Sequence, residues 1–177
     1  MQLFHRSMKG AVAAVLVASA IAIPAAAFAA PASALAATNT TPGRAVITYY
    51  RELANARRAG FTAKATLLSR RLDRLSVVAD VVAHAGGDVV AARTNIVSAR
   101  GHLASARALA VMAYAELRTV PWATDRGAAL AKANADWKLA DGQLQAARAD
   151  KKVVASDLLA LVRSLHLTAK VKSSDFL

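Results

Sequence analysis

From Ala92 to Ala113 the chain repeats itself every seven residues: Ala-Arg-Thr-Asn-Ile-Val-Ser, Ala-Arg-Gly-His-Leu-Ala-Ser, Ala-Arg-Ala-Leu-Ala-Val-Met, then alanine again. Extended both ways, the apolar positions Val89, Ala92, Ile96, Ala99, Leu103, Ala106, Ala110, Ala113 and Leu117 alternate spacings of three and four. That alternation is the seam of a helix that supercoils left-handedly against partner helices. Ala92, Ala99, Ala106 and Ala113 occupy one of the two seam positions in every repeat. Partners can therefore approach more closely than leucines would allow, and Arg93, Arg100 and Arg107 flank the seam.

Two further segments carry the same alternation. Thr41-Pro42 reads as an N-cap with proline at the first helical position, followed by an apolar face of Val46, Tyr49, Tyr50, Leu53 and Ala56. Gly60 costs about 1 kcal/mol relative to alanine in a helix interior, so a kink or break is expected there, with Thr62 as a restart cap. The seam resumes at Ala65, Leu68, Leu72, Leu75, Ala79 and Val82, and ends at Ala85-Gly86-Gly87, where paired glycines supply a left-handed cap. Asp88 caps the central helix, which Pro121 stops near Thr119. Trp122 in the following turn is expected to plug the end of the helices, since a lone large aromatic usually buries its area. Thr124 or Asp125 caps a third helix with the seam Leu130, Ala133, Trp137, Ala140, Leu144, Ala147, Lys151, Val154, Leu158, Leu161 and Leu165. Lys151 alone breaks that seam, fixing register or snorkelling outward. Helices of these lengths are rods of roughly 48 to 65 Å, and their short connections favour antiparallel neighbours. The expected fold is all-α: an up-down-up three-helix bundle with coiled-coil-like heptad packing over residues 44–167. The segment before Gly60 is an extension or a short fourth helix, and residues 168–177 are a polar, frayed tail.

Ahead of this body, Arg6 and Lys9 precede an uninterrupted apolar run from Gly10 to Ile23, and a small-x-small pattern follows at Ala27-Phe28-Ala29. This is the anatomy of an export signal, read as residues 1–29 and cleaved after Ala29. An uncleaved membrane anchor over residues 10–30 is the alternative, against which Pro24, Pro31 and the weak hydrophobicity of alanine argue. Residues 30–43 form a polar, disordered lead-in. The expected location is therefore periplasmic or extracellular.

Lysine and arginine number 23 against 11 acids, for a net charge of +12. Removing Arg6 and Lys9 leaves most of that excess, which attracts nucleic acid, anionic lipid or anionic wall polymer. The base is concentrated: Arg44, Arg51, Arg57, Arg58, Lys64, Arg70, Arg71 and Arg74 face only Glu52 and Asp73 in the same segment. Arg44, Arg51 and Arg58 recur every seven residues, as do Arg57, Lys64 and Arg71, so each set forms a row along the helix. With Arg93, Arg100 and Arg107 these are the candidate polyanion-binding residues. Binding by counterion release would make their affinity steeply salt-dependent. The rival destination for the base is pairing within the bundle, for which Asp136, Asp141, Asp150 and Asp157 are available. Nucleic-acid signatures are missing, since Tyr49 and Tyr50 are the sole aromatic pair near the base and no helix-turn-helix spacing occurs.

Chemistry is signalled mainly by what the sequence lacks. Without cysteine, disulfides, thiolate metal sites and thiol catalysis are excluded. Two glutamates without a Glu-x-x-His pair cannot build a di-iron bundle site, and no phosphate loop, G-x-S-x-G or H-E-x-x-H occurs. His84, His102 and His166 are too scattered for a metal cluster and are expected to cap helix ends or face water. Asp73 with Asp80, and Asp150 with Asp157, keep the heptad spacing of a solvated face. No enzyme, cofactor, metal or small-molecule substrate is expected.

The signal-like N-terminus, Arg-Arg-Leu-Asp-Arg-Leu at residues 70–75, the Gly-Gly-Asp corner at 86–88, the alanine-heptad helix and the Pro-Trp corner at 121–122 form a recognisable set. From Phe61 to Leu165 the chain resembles uncharacterised exported alanine-rich helical-bundle proteins of bacteria, a resemblance that implies a fold without an assigned activity. The expected role is a non-enzymatic envelope scaffold or an adhesin for anionic surface polymer. The alternative is a holdase chaperone holding unfolded clients in an apolar groove between helices. Partner contact or self-association would use the alanine seams.

Overall fold

The structure, a computed structural model, describes residues 41–176; the expected export signal and residues 30–40 of the lead-in lie outside them. Among the described residues there is no strand, and three long helices, α1 (Arg44–His84), α2 (Val90–Thr119) and α3 (Arg126–Ser164), pack closely on one another. The predicted face of α2 is the buried one: all nine positions from Val89 to Leu117 are at most 6 % exposed. In α1 the positions from Ala65 to Val82 are likewise buried, joined by Phe61 and Val78. In α3, Val162 takes the deepest place beyond Leu158, while Leu161 and Leu165 are half-buried.

α2 and α3 make the most extensive pairing, and α1 lies more loosely against both. The cause is side-chain size. α2 presents Ala92, Ala99, Ala106, Ala110 and Ala113, and α3 presents Ala133, Ala140 and Ala147, so their backbones can approach closely. α1 buries mainly Phe61, Leu68, Leu72, Leu75, Val78 and Val82, bulkier groups that hold its axis further out. The core falls into three consecutive clusters. One surrounds Leu75, Ile96, Val154 and Leu158; the middle one holds Phe61, Leu72, Leu103, Trp137 and Leu144; the third holds Tyr50, Ala54, Leu117, Val120 and Ala133.

Several sequence expectations about the helices are corrected. α1 runs unbroken through Gly60, so there is no short fourth helix and Thr62 caps nothing. The glycine is solvent-exposed, and about 1 kcal/mol is small beside the burial of Tyr50, Ala54, Phe61 and Ala65 on either side of it. α1 also begins later than expected: Gly43, not Thr41, occupies the N-cap, with no side-chain cap. Trp122 does not plug the end. Val120 and Pro121, in the 3-10 turn Val120–Trp122, fill that place, and the indole is 59 % exposed. Finally, the chain beyond α3 folds back: Leu167 and Val171 are buried, Phe176 packs on the same cluster, and Lys151 Nζ donates to the Phe176 carbonyl at 3.0 Å.

The corners follow their local chemistry. Gly86 adopts φ 85°, its N–H bonds Ala83 O, and the Gly87 N–H reaches Val82 O, both at 3.0 Å; this pairing ends a helix on a left-handed residue. A Cβ on Gly87 would lie 2.5 Å from Val82 Cγ1 and 2.9 Å from Leu165 Cδ1, so only glycine fits between α1 and α3 here. Asp125 is the N-cap of α3, its Oδ1 accepting from Ala128 N at 2.9 Å. Asp88 is not the N-cap of α2, since Val89 holds that place without a side-chain cap and Asp88 Oδ1 only accepts from Val90 N, at 3.0 Å, from one residue further out.

Candidate functional site

The eleven candidate bases do not form one surface. Arg93 Nη2 donates to Asp80 Oδ1 and Arg100 Nη2 to Asp73 Oδ1, each at 2.9 Å, so the first two members of the α2 row are joined to α1. Both pairs are about half-exposed, and such pairs contribute at most about 1 kcal/mol. Arg107, the third member, stands on the rim of a groove between α1 and α2.

On α1 the two rows flank opposite sides of the buried stripe. Arg58, at the end of one row, sets its guanidinium 4.8 Å from the centre of the Tyr114 ring on α2. Arg57, at the start of the other, donates to Asn134 Oδ1 on α3 at 2.6 Å, and Arg71 lies close enough to Lys151 to disfavour its charge. Arg70 and Arg74 are exposed, as are Arg44, Arg51 and Lys64. Among the described residues none of the eight α1 bases pairs with a carboxylate. The α3 aspartates do not take them up: Asp136 faces Lys132 at 3.6 Å, and Asp150 faces His102.

The groove beside Arg58 and Arg107 encloses about 430 Å³ over Phe61, Ala65, Ala110 and Val111, with Thr62 and Thr66 on its α1 side. At this level Phe61 also packs in a T-shaped arrangement against Trp137 on α3, ring centres 6.0 Å apart. Tyr114 closes one end. Its hydroxyl donates to Asn55 Oδ1 at 3.1 Å, and Arg118 lies 5.7 Å from the ring centre. This clamp was not legible beforehand, because Tyr114 is one place off the α2 seam and nothing in charge or spacing marks it.

Two polar links inside the helices also escaped the pattern. His102 Nδ1 donates to Gln143 Oε1 at 2.8 Å, and its Nε2 faces Asp150 Oδ2 at 3.8 Å. The expectation that this histidine merely faces water is thereby revised: it joins α2 to α3. His84 Nδ1 donates to Asp80 O at 2.7 Å near the end of α1, and His166 takes the left-handed position, φ 56°, that ends α3. Lys151 turns to the folded-back C-terminal segment, where its ammonium donates to the Phe176 carbonyl. Its ammonium loses hydration there, and the Arg71 and Lys152 charges add to the effect, so its pKa lies below the usual lysine range. Tyr50 moves the other way: burial and the neighbouring Tyr49 raise its phenol pKa, partly offset by Arg126. Among the described residues no three His, Asp or Glu side chains come together as a metal ion would require, and no helix is long and apolar enough to cross a membrane.

Fold and surface together define an all-helical protein whose first helix carries eight bases without a carboxylate partner among the described residues. No protein-family model, no curated protein and no solved structure matches the chain.

Proposed function

We propose that the protein is an exported, non-enzymatic helical bundle of the cell envelope that adheres to anionic surface polymer through α1. One observation carries this reading: the eight bases of α1 have no carboxylate partner among the described residues, whereas Arg93 and Arg100 of α2 do. The binding set therefore contracts to α1 with Arg107, and the two paired arginines leave it. Export is supported by the sequence of residues 1–29 alone. The finer architecture is an up-down-up bundle with heptad meshing. It is supported by the order of cross-links, in which Asn55, Asp73 and Asp80 meet Tyr114, Arg100 and Arg93 in turn, while Phe61 meets Trp137.

The test is retention on immobilised heparin under a salt gradient. The protein is expected to remain bound beyond about 0.15 M salt, because several phosphate- or sulfate-like contacts release counterions together. Changing Lys64, Arg70 and Arg74 to glutamate should abolish retention, and changing Arg93 and Arg100 to glutamine should leave it nearly unaltered. Early elution of the unaltered protein, or equal loss in both variants, refutes the assignment. A second reading, a holdase for unfolded exported clients, has the α1–α2 groove in its favour. It requires suppression of client aggregation that a bulky residue at Ala110 removes.

A further inference from the structure

Seven aromatic side chains other than histidine occur among the described residues; Tyr50, Phe61 and Trp137 are buried, and Tyr114 and Phe176 half-buried. The two exposed ones, Tyr49 at 41 % and Trp122 at 59 %, are at the same end of the helices. Tyr50 packs in one cluster with Leu117 and Val120, which places the start of α1 beside the Val120–Trp122 turn. The Tyr49 and Tyr50 rings stand nearly perpendicular with centres 5.2 Å apart, and Tyr49 stays exposed. Trp122 is held out by its neighbours: Pro121 and Val120 are buried beneath it, and Arg126 Nε donates to Pro121 O at 3.1 Å, pinning the turn. Large aromatics left in water forgo burial worth a few kcal/mol, and both are left so at one end.

The charge at this end has one sign in excess. Arg44 and Arg51 lie in the first turns of α1, Arg118 in the last turn of α2 and Arg126 in the first of α3; all are exposed except the half-buried Arg126. The nearby acids are Glu52, Asp125 and Glu116. Asp125 is occupied by the α3 N-terminus and Glu116 by Lys132. An exposed indole and phenol at the end of the helices that also carries these arginines match the headgroup layer of a bilayer carrying negative lipid, where tryptophan and tyrosine settle and each base adds attraction. At the opposite end, around Gly86 and His166, no exposed aromatic occurs among the described residues.

We propose that the end of the molecule bearing Tyr49 and Trp122 docks on an anionic lipid surface, with Trp122 in the headgroup layer and Arg44, Arg51 and Arg118 on lipid phosphates. The surface shares Arg44 and Arg51 with the polymer-binding set of α1 but not Lys64, Arg70 and Arg74, the bases on which the heparin test rests. Each assignment therefore has its own variants, and either can fail without the other.

The two tryptophans make the test internal, because Trp137 is buried and Trp122 is not. The full chain is mixed with vesicles of phosphatidylcholine, or of phosphatidylcholine with phosphatidylglycerol, and tryptophan emission is followed with and without lipid brominated near its headgroup. The expected result is a blue shift and bromine quenching on the phosphatidylglycerol vesicles alone, both lost in Trp122→Phe although Trp137 remains. Changing Arg44, Arg51 and Arg118 to glutamine should weaken partitioning about tenfold or more, and added salt should do the same. Vesicle binding without any change at Trp122 overturns the proposal, because the contact is then elsewhere. So does an equal response on uncharged vesicles, or no binding to either. Heparin that shifts Trp122 as far as the vesicles do assigns this end to polymer and likewise overturns it.

Discussion

Replacing Gly60 by alanine should stabilise the protein, and the size of the gain follows from the local geometry. Gly60 lies within a continuous α1, its position is exposed, and a Cβ built on it meets nothing within 4 Å. The substitution therefore adds no clash in the folded state and removes backbone freedom from the unfolded one, worth about 0.5–1 kcal/mol. Gly101 in α2 and Gly142 in α3 are equally exposed with equally open space around the added carbon, so each serves as an internal standard. Because the three methyls add no new contacts, the triple variant should gain about 1.5–3 kcal/mol, near 3 °C in Tm for each kcal/mol. Urea unfolding followed by far-ultraviolet circular dichroism reads this as a higher midpoint with an unchanged slope. If Gly101→Ala and Gly142→Ala stabilise while Gly60→Ala is neutral or harmful, α1 is broken at Gly60 in solution and the reasoning fails.

The opposite sign is expected at the first corner. Gly87→Ala drives a methyl into Val82 and Leu165, and Gly86→Ala forces a side chain into φ 85°; each should cost about 1–3 kcal/mol in the same unfolding assay. Ala106→Leu, at a fully buried α2 seam position, should overpack the middle core and destabilise by about 1–3 kcal/mol, whereas Ala104→Leu on the exposed side should be nearly neutral. Lys151 has a folded-state pKa below its unfolded value of 10.5. The unfolded chain thus holds more protons in that interval, and stability rises with pH as it is crossed. Lys151→Met should flatten that rise when stability is compared by urea titration at mildly and strongly alkaline pH. Tyr50 works against it above pH 10.0, because its raised pKa favours the folded state only while the phenol keeps its proton. A double-mutant cycle on Asp73 and Arg100 should give a coupling of less than about 1 kcal/mol that fades with salt.

Helix positions, the α2 face and the Gly86-Gly87 corner were legible because they depend on local matters: a period of three and four, a backbone that needs left-handed φ, a proline that lacks its N–H. The continuity of α1 was not, since the cost at Gly60 is local while its compensation comes from Phe61 on Trp137 and Tyr50 on Val120, contacts remote in sequence. Charge placement divided in the same way. Heptad spacing put Arg93 and Arg100 beside a seam, but only packing set Asp80 and Asp73 opposite them.

By itself, then, the sequence determined where helix forms and which stripe of each helical segment is apolar, because those features follow from residue order and backbone chemistry over a few turns. Tertiary structure decided which stripes meet most closely, which arginines are paired, that Val120 and Pro121 rather than Trp122 fill the end, and that Leu167, Val171 and Phe176 return to the core. These are contests between side chains from different helices for the same space or the same charge, and periodicity along one chain does not record who wins them.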